Sequence, residues 1–179
     1  MVWSTPLTAV DGAVLTFGQW NASVRDNLLE TAPAKATTAN GIFVTSATNV
    51  IAQRNINHSA VAATATTAST TYTGTLSGSS TGPTVLVTSG TRVLIGHNAN
   101  CENTLTALSL MSFAVSGATT QVASDEYALM HGSGTSQFRL GVSMLSAVLT
   151  SGSNTFTSEY RVSAGTGQFQ NRRMWVLPL

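Results

Sequence analysis

The chain has very little charge. Of 179 residues, 8 are Lys or Arg and 7 are Asp or Glu, so that charged residues make up 8% of the sequence and the formal net charge is +1. A soluble domain usually carries about 25% charged residues. Nucleic-acid binding requires a basic surface that neutralises phosphates. One lysine, Lys35, and a net charge of +1 do not provide it. Ordinary disorder requires low hydrophobicity together with high net charge, whereas 42% of this chain is hydrophobic. Cysteine occurs once, as Cys101, which excludes an internal disulfide framework and a cysteine-based metal cluster. No run of 18 apolar residues exists to cross a membrane as a helix. The opening Met1–Pro6 lacks the basic start and apolar block of a secretion signal, so folding in the cytosol is expected.

Hydroxyls fill the space that charge leaves: the chain has 21 Ser, 28 Thr and 15 Gly. A surface of hydroxyls and small residues favours β-structure and an assembled protein. The fold class expected is mainly β: a C-terminal jelly-roll β-sandwich with a short N-terminal helix and an extended arm. Three segments follow: an anchor over 1–40, an Ala/Thr-rich arm over 41–71, and a sandwich that mediates oligomerisation over 72–179.

The anchor carries the helix. Thr16 with Gln19 three residues on matches a capping box. Phe17, Trp20, Val24 and Leu28 recur at helical spacing over about 14 residues, which puts them on one face. A helix of that length is marginal alone in water, so the stripe must be buried against something. Arg25 and Asp26 lie off it, either as a solvated face or as an ion pair with a docking partner. In the arm, Gly41–Arg54 holds two β-like pieces that could add strands to a neighbouring subunit. Ser59–Thr71 is nearly all Ala, Thr and Ser and reads as a linker, with edge-strand pairing as the alternative.

From Tyr72 onward, short β runs alternate with turns: 84–88, 91–97, 104–115, 119–130, 137–143, 145–150, 155–162 and 168–177. Turn clusters separate them, including Asn98–Asn100, and a helical turn around Ser124–Met130 is an option. Phe156, Tyr160, Phe169 and Trp175 are candidates for the core or an oligomer interface. Arg172 and Arg173 read as the basic edge of a final core strand, or as interface residues that pair with an acid such as Glu159. The Val176–Leu179 ending suggests a buried terminus. Open edges with little charge to blunt them invite self-association, and a closed C₃ ring is one remedy.

Catalytic chemistry finds no foothold. His58, His97 and His131 lie in no motif, and no G-x-S-x-G elbow is present. Cys101 near His97 lacks the signature of an activated pair. Asp125 and Glu126 are adjacent, so on a strand they face opposite ways rather than forming a glycosidase pair. Neither a cofactor nor a metal is expected, and the chain is read as a non-enzyme.

Trp3 to Pro6, followed by the spacing Thr16-x-x-Gln19-x-Asn21-x-x-Val24-Arg25-Asp26-Asn27-Leu28, resembles the opening of small virion structural proteins of tailed bacteriophages, notably those infecting actinobacteria. Ser151–Val162, Asn171–Leu179, Gly82–Thr91 and Ser112–Thr119 are similar to strands of their jelly-roll domains. The resemblance covers most of the chain. It implies a tumour-necrosis-factor-like sandwich, usually trimeric, tethered by an N-terminal anchor and without catalytic residues. The expectation is a homotrimeric capsid decoration protein, made in the host cytoplasm and placed on the outside of the virion head. It would grip the major capsid protein through Trp3, Pro6, Phe17, Trp20, Val24, Arg25 and Leu28. The alternative is a minor tail or head-fibre protein that binds host-surface carbohydrate through Tyr72–Ser80, His97–Asn103 or His131–Ser136.

Overall fold

The computed structural model describes residues 7–8, 10–29, 31–78, 81–132 and 134–179. They form two compact units that part between Asn55 and Ile56.

In the first unit the Thr16 capping box forms as the sequence predicts. The Thr16 hydroxyl accepts from the Gln19 N–H (3.2 Å), and Gln19 Oε1 accepts from the Thr16 N–H (2.9 Å). Helix α1 spans only Phe17–Trp20, however, before the chain widens into a π-helical stretch over Asn21–Asp26. A short helix α2 (Ala32–Lys35) follows, with Pro33 in its first turn. Strands β1 (Ile42–Ala47) and β2 (Val50–Arg54) then make an antiparallel two-stranded sheet. Asn49 takes a left-handed conformation at its turn (φ 59°), as asparagine readily does.

The second unit is a jelly roll. Its strands are β3 (Asn57–Val61), β4 (Ala65–Thr67), β5 (Thr84–Ser89), β6 (Val93–Asn103), β7 (Ser109–Gly117), β8 (Leu129–His131), β9 (Phe138–Leu145), β10 (Gly152–Val162) and β11 (Gly167–Pro178). One sheet has the order β5-β10-β7-β8. The other has β3-β11-β6-β9, with β4 also paired to β11. Apart from β3 and β4, which share one sheet, and β7 and β8, which share the other, consecutive strands alternate between the sheets, as in Greek-key jelly rolls. The sandwich begins at β3, not at residue 72. The Ala/Thr stretch read as a linker supplies β3 and β4, which pair with β11 through registers such as Ser59↔Met174 and Ala65↔Phe169. Small side chains suffice because β3 is an edge strand that contributes mainly backbone hydrogen bonds.

The core follows from alternation. Along β10, Asn154, Phe156, Ser158, Tyr160 and Val162 point inward and are buried, while the residues between them face out. On β11 the parity changes partway along. Phe169 is buried, and so are Arg172, Met174 and Val176. A bulge between Gln170 and Arg173 makes this switch, with Asn171 left-handed at φ 50°. The extra residue reverses which face each later side chain occupies.

Two further differences from the sequence reading have physical causes. Asn98–Asn100, expected as a turn, lies inside the 11-residue strand β6. Its two asparagines sit on the outer face, where Asn98 Oδ1 accepts from Arg139 Nη2 (3.3 Å) and Asn100 Nδ2 donates to Gln137 (3.4 Å). The run 145–150 is mostly not a strand. Ser146 and Leu149 donate backbone N–H groups to Val93 and Thr91 and plug that end of the sandwich. A helical turn does form, as Asp125–Tyr127, capped by the Ser124 hydroxyl.

Candidate functional site

The helix stripe is the first candidate surface. Phe17 is 91% exposed, Trp20 56% and Leu28 61%, and Val24 is partly buried. The helix is held locally. Asn27, which is buried, donates from Nδ2 to the Ser23 carbonyl (3.1 Å), and the Ser23 hydroxyl accepts from the Leu7 N–H (3.0 Å). Arg25 Nε donates to Asp26 Oδ1 at 2.8 Å. These neighbours therefore satisfy one another, and the stripe offers apolar area without a net charge beside it. A cleft of about 220 Å³ lined by Leu7, Val10, Val14 and Leu15 adds apolar surface in the same unit. Trp3 and Pro6 lie outside the described residues.

The residues expected in the oligomer interface divide into two groups. Phe156, Tyr160 and Phe169 are wholly buried core. Arg172 is also buried, which corrects its reading as part of a basic edge. Its guanidinium lies 5.6 Å from the centre of the Tyr160 ring, and Nη2 donates to the Ala63 carbonyl (3.2 Å). The bulge at Asn171 turns it inward. Arg173 and Trp175 remain on the outer face, exposed and partly exposed respectively. There the register aligns Leu177, Leu94 and Leu145 in one row, and Trp175, Gly96 and Ser143 in the next. The Trp175 indole fills the place a side chain at Gly96 would take: a Cβ there would stand 2.4 Å from it. Glu159, the acid suggested as a partner for the arginines, lies on the outer side of the other sheet, where burial raises its pKa.

Of the three loops considered for carbohydrate, His97–Asn103 is strand, with His97, Ala99 and Cys101 pointing into the core. His131 is likewise buried, its ring 5.7 Å from that of Phe138. Tyr72 belongs to a cluster that sequence reasoning missed. Its hydroxyl donates to Asp125 Oδ1 (2.9 Å), Arg161 Nε donates to the same oxygen (2.9 Å), and the Arg161 guanidinium lies 5.5 Å over the Tyr72 ring. Arg161 Nη2 also contacts Asp125 Oδ2. The Arg161 hydrogen bond holds the Asp125 carboxyl below the usual range. Burial, then Asp125, pushes the Tyr72 hydroxyl up. Residues 36 and 53 positions apart in sequence carry no local signature of such a cluster. It ties the segment around Tyr72 and the turn at Asp125 to the outer face of β10.

The titratable groups in the core are poised for packing rather than chemistry. Desolvation lowers the His97 pKa to about 4, and burial raises that of Cys101 to about 12. A nucleophile–base pair requires hydrogen-bond reach. Four positions along one strand separate these two by about 13 Å. Among the described residues, no three His, Cys, Asp or Glu side chains gather where they could hold a metal ion, and no helix is long and apolar enough to cross a membrane.

Neither a protein-family model nor a curated protein matches the chain. Among solved structures it is similar to Eiger TNF from S. frugiperda, at 9% identity over 70% of this chain and 92% of that one, with a TM-score of 0.48. The strand order given above identifies the jelly roll independently of that likeness.

Proposed function

We propose that this chain is a non-catalytic virion structural protein of a tailed phage. It forms a homotrimer through its jelly roll and decorates the outside of the head, gripping the major capsid protein with its N-terminal unit. The observation that carries the reading is the helix stripe. A capped helix presents Phe17, Trp20 and Leu28 to solvent in a unit whose described residues form no hydrophobic core. Large aromatics are the usual energetic centres of interfaces. Burying each of these side chains on a shell contributes about 1.5–3 kcal/mol. A ligand that binds only the assembled shell stabilises it by mass action, and repeated copies multiply the effect. The leucine row and Trp175 on the outer face of β11, β6 and β9 support self-association of the sandwich. Against carbohydrate recognition, one of the three loops considered is core strand and a second carries a buried histidine.

The test is deletion of residues 1–30. Binding to purified heads is expected to be lost while the number of subunits per oligomer, read from light scattering against the shortened chain's own mass, is unchanged. Undiminished binding refutes the docking assignment. Hundreds of copies per virion on a quantitative gel accord with decoration, whereas a handful point to the tail.

A further inference from the structure

We infer that the β1–β2 hairpin of one copy adds to the free edge of β9 in a second copy, as a strand exchanged between subunits. This rests on the homo-oligomer proposed above and names the elements that join it.

The sandwich has four edges, and three are closed or short. β3 and β5 are tied across the gap between the sheets: Asn57 Nδ2 donates to the Leu86 carbonyl (2.8 Å), and the Ser59 hydroxyl accepts from the Thr84 N–H (3.3 Å). β8 is three residues long. β9 is different. It runs for eight residues, pairs among the described residues only with β6, and carries one charge, Arg139, and no proline. Edges of that kind are templates for another strand. The hairpin is the matching half. It is a two-stranded sheet of six and five residues, and such a sheet is marginal until a third strand joins it. Ile42 and Phe43, neighbours on β1 that point to opposite faces, are each 39% exposed. Its one charge, Arg54, stands at the end of β2, so no charge opposes pairing along its length.

Reach decides that the pairing is between copies. In the order β3-β11-β6-β9, a strand added beyond β9 lies four strand spacings from β3, about 19 Å. From Arg54 at the end of β2 to Asn57 at the start of β3 is three steps of chain, at most about 11 Å. The hairpin therefore cannot reach the β9 edge of its own sandwich, whichever of its strands pairs. A donor patch and a different acceptor patch make a heterologous contact, which builds rings when the rotation closes.

Hydrogen–deuterium exchange on the full chain tests this, read beside solution mass. In the double variant Val44→Pro with Ala52→Pro, the β9 amides are expected to exchange about tenfold faster or more than in the wild type, while those of β6 and β11 stay protected. Ser143→Lys, which leaves the hairpin intact and charges the edge, gives the same acceleration at its neighbours in β9. If β9 exchange is unchanged in both variants and the oligomer keeps its mass, the pairing is refuted and the oligomer stands. Protection of β9 that survives dilution to the monomer also refutes it, by placing the pairing within one chain. A wild-type chain that is monomeric at every concentration overturns the oligomer and this inference with it.

Discussion

Acid should destabilise the sandwich through a single histidine. His97 is 2% exposed between the sheets; its ring meets Phe113 edge-on at 5.8 Å. Val142 and Met174 stand opposite it in the flanking strands, and the backbone of Tyr127 is the one polar influence that favours its charged form. Among the described residues no carboxylate shifts it, so desolvation prevails and its pKa falls to about 4 from 6.5. Above pH 6.5 both folded and unfolded chains hold it neutral, and it contributes no pH dependence. Below pH 6.5 the unfolded chain takes up a proton that the folded chain refuses, so stability is lost as pH falls, until the folded form protonates near 4. At about 1.4 kcal/mol per pH unit, the full loss is roughly 3 kcal/mol, with about 2 kcal/mol of it already present at pH 5. Such a loss is a large part of the stability of an ordinary domain. The assay is urea unfolding at pH 7.5 and pH 5.0 of the wild type and of His97→Leu, which fills similar space without titrating. The wild type should lose about 2 kcal/mol more than the variant between the two conditions. Equal losses would show that His97 is not the group responsible.

The bulge in β11 predicts a residue-specific response. Asn171→Gly should be tolerated, because φ 50° suits glycine, while Asn171→Val should cost about 1–3 kcal/mol in thermal or urea unfolding. Gly96→Val should displace the Trp175 indole and cost about 1–3 kcal/mol, with a change in tryptophan fluorescence that Gly96→Ser shows more weakly.

The sandwich was legible because alternation survives wherever a strand has one buried face. The readings of 84–88, 155–162 and 168–177 fall within one or two residues of β5, β10 and β11 except at the first residues of β10. Legibility failed where tertiary context decides the outcome. Asn98 and Asn100 look like turn residues, and Arg139 of the neighbouring strand β9 and Gln137 just before it hold them in an extended strand. The Ala/Thr stretch has no hydrophobic pattern, and only the distant β11 makes it a strand. Arg172 seemed a surface charge because the extra residue that reverses its direction leaves no mark in composition. Of the helix stripe, the capping box and the spacing of Phe17, Trp20 and Leu28 were plain, but the π-helical turn was not. The Tyr72–Asp125–Arg161 cluster assembles from three separate segments.

The order of the strands also sets a schedule. β11, which follows the other sandwich strands in the chain, lies in the middle of its sheet between β3 and β6, and its pairs reach back from Val176 to Asn57. During translation the N-terminal helix emerges first, yet the sandwich stays incomplete until β11 has cleared the ribosome. Pairing over such long separations is slow. A chain broken off early therefore has its capped helix but no finished jelly roll, and the outer face that carries Trp175 exists only in a complete copy.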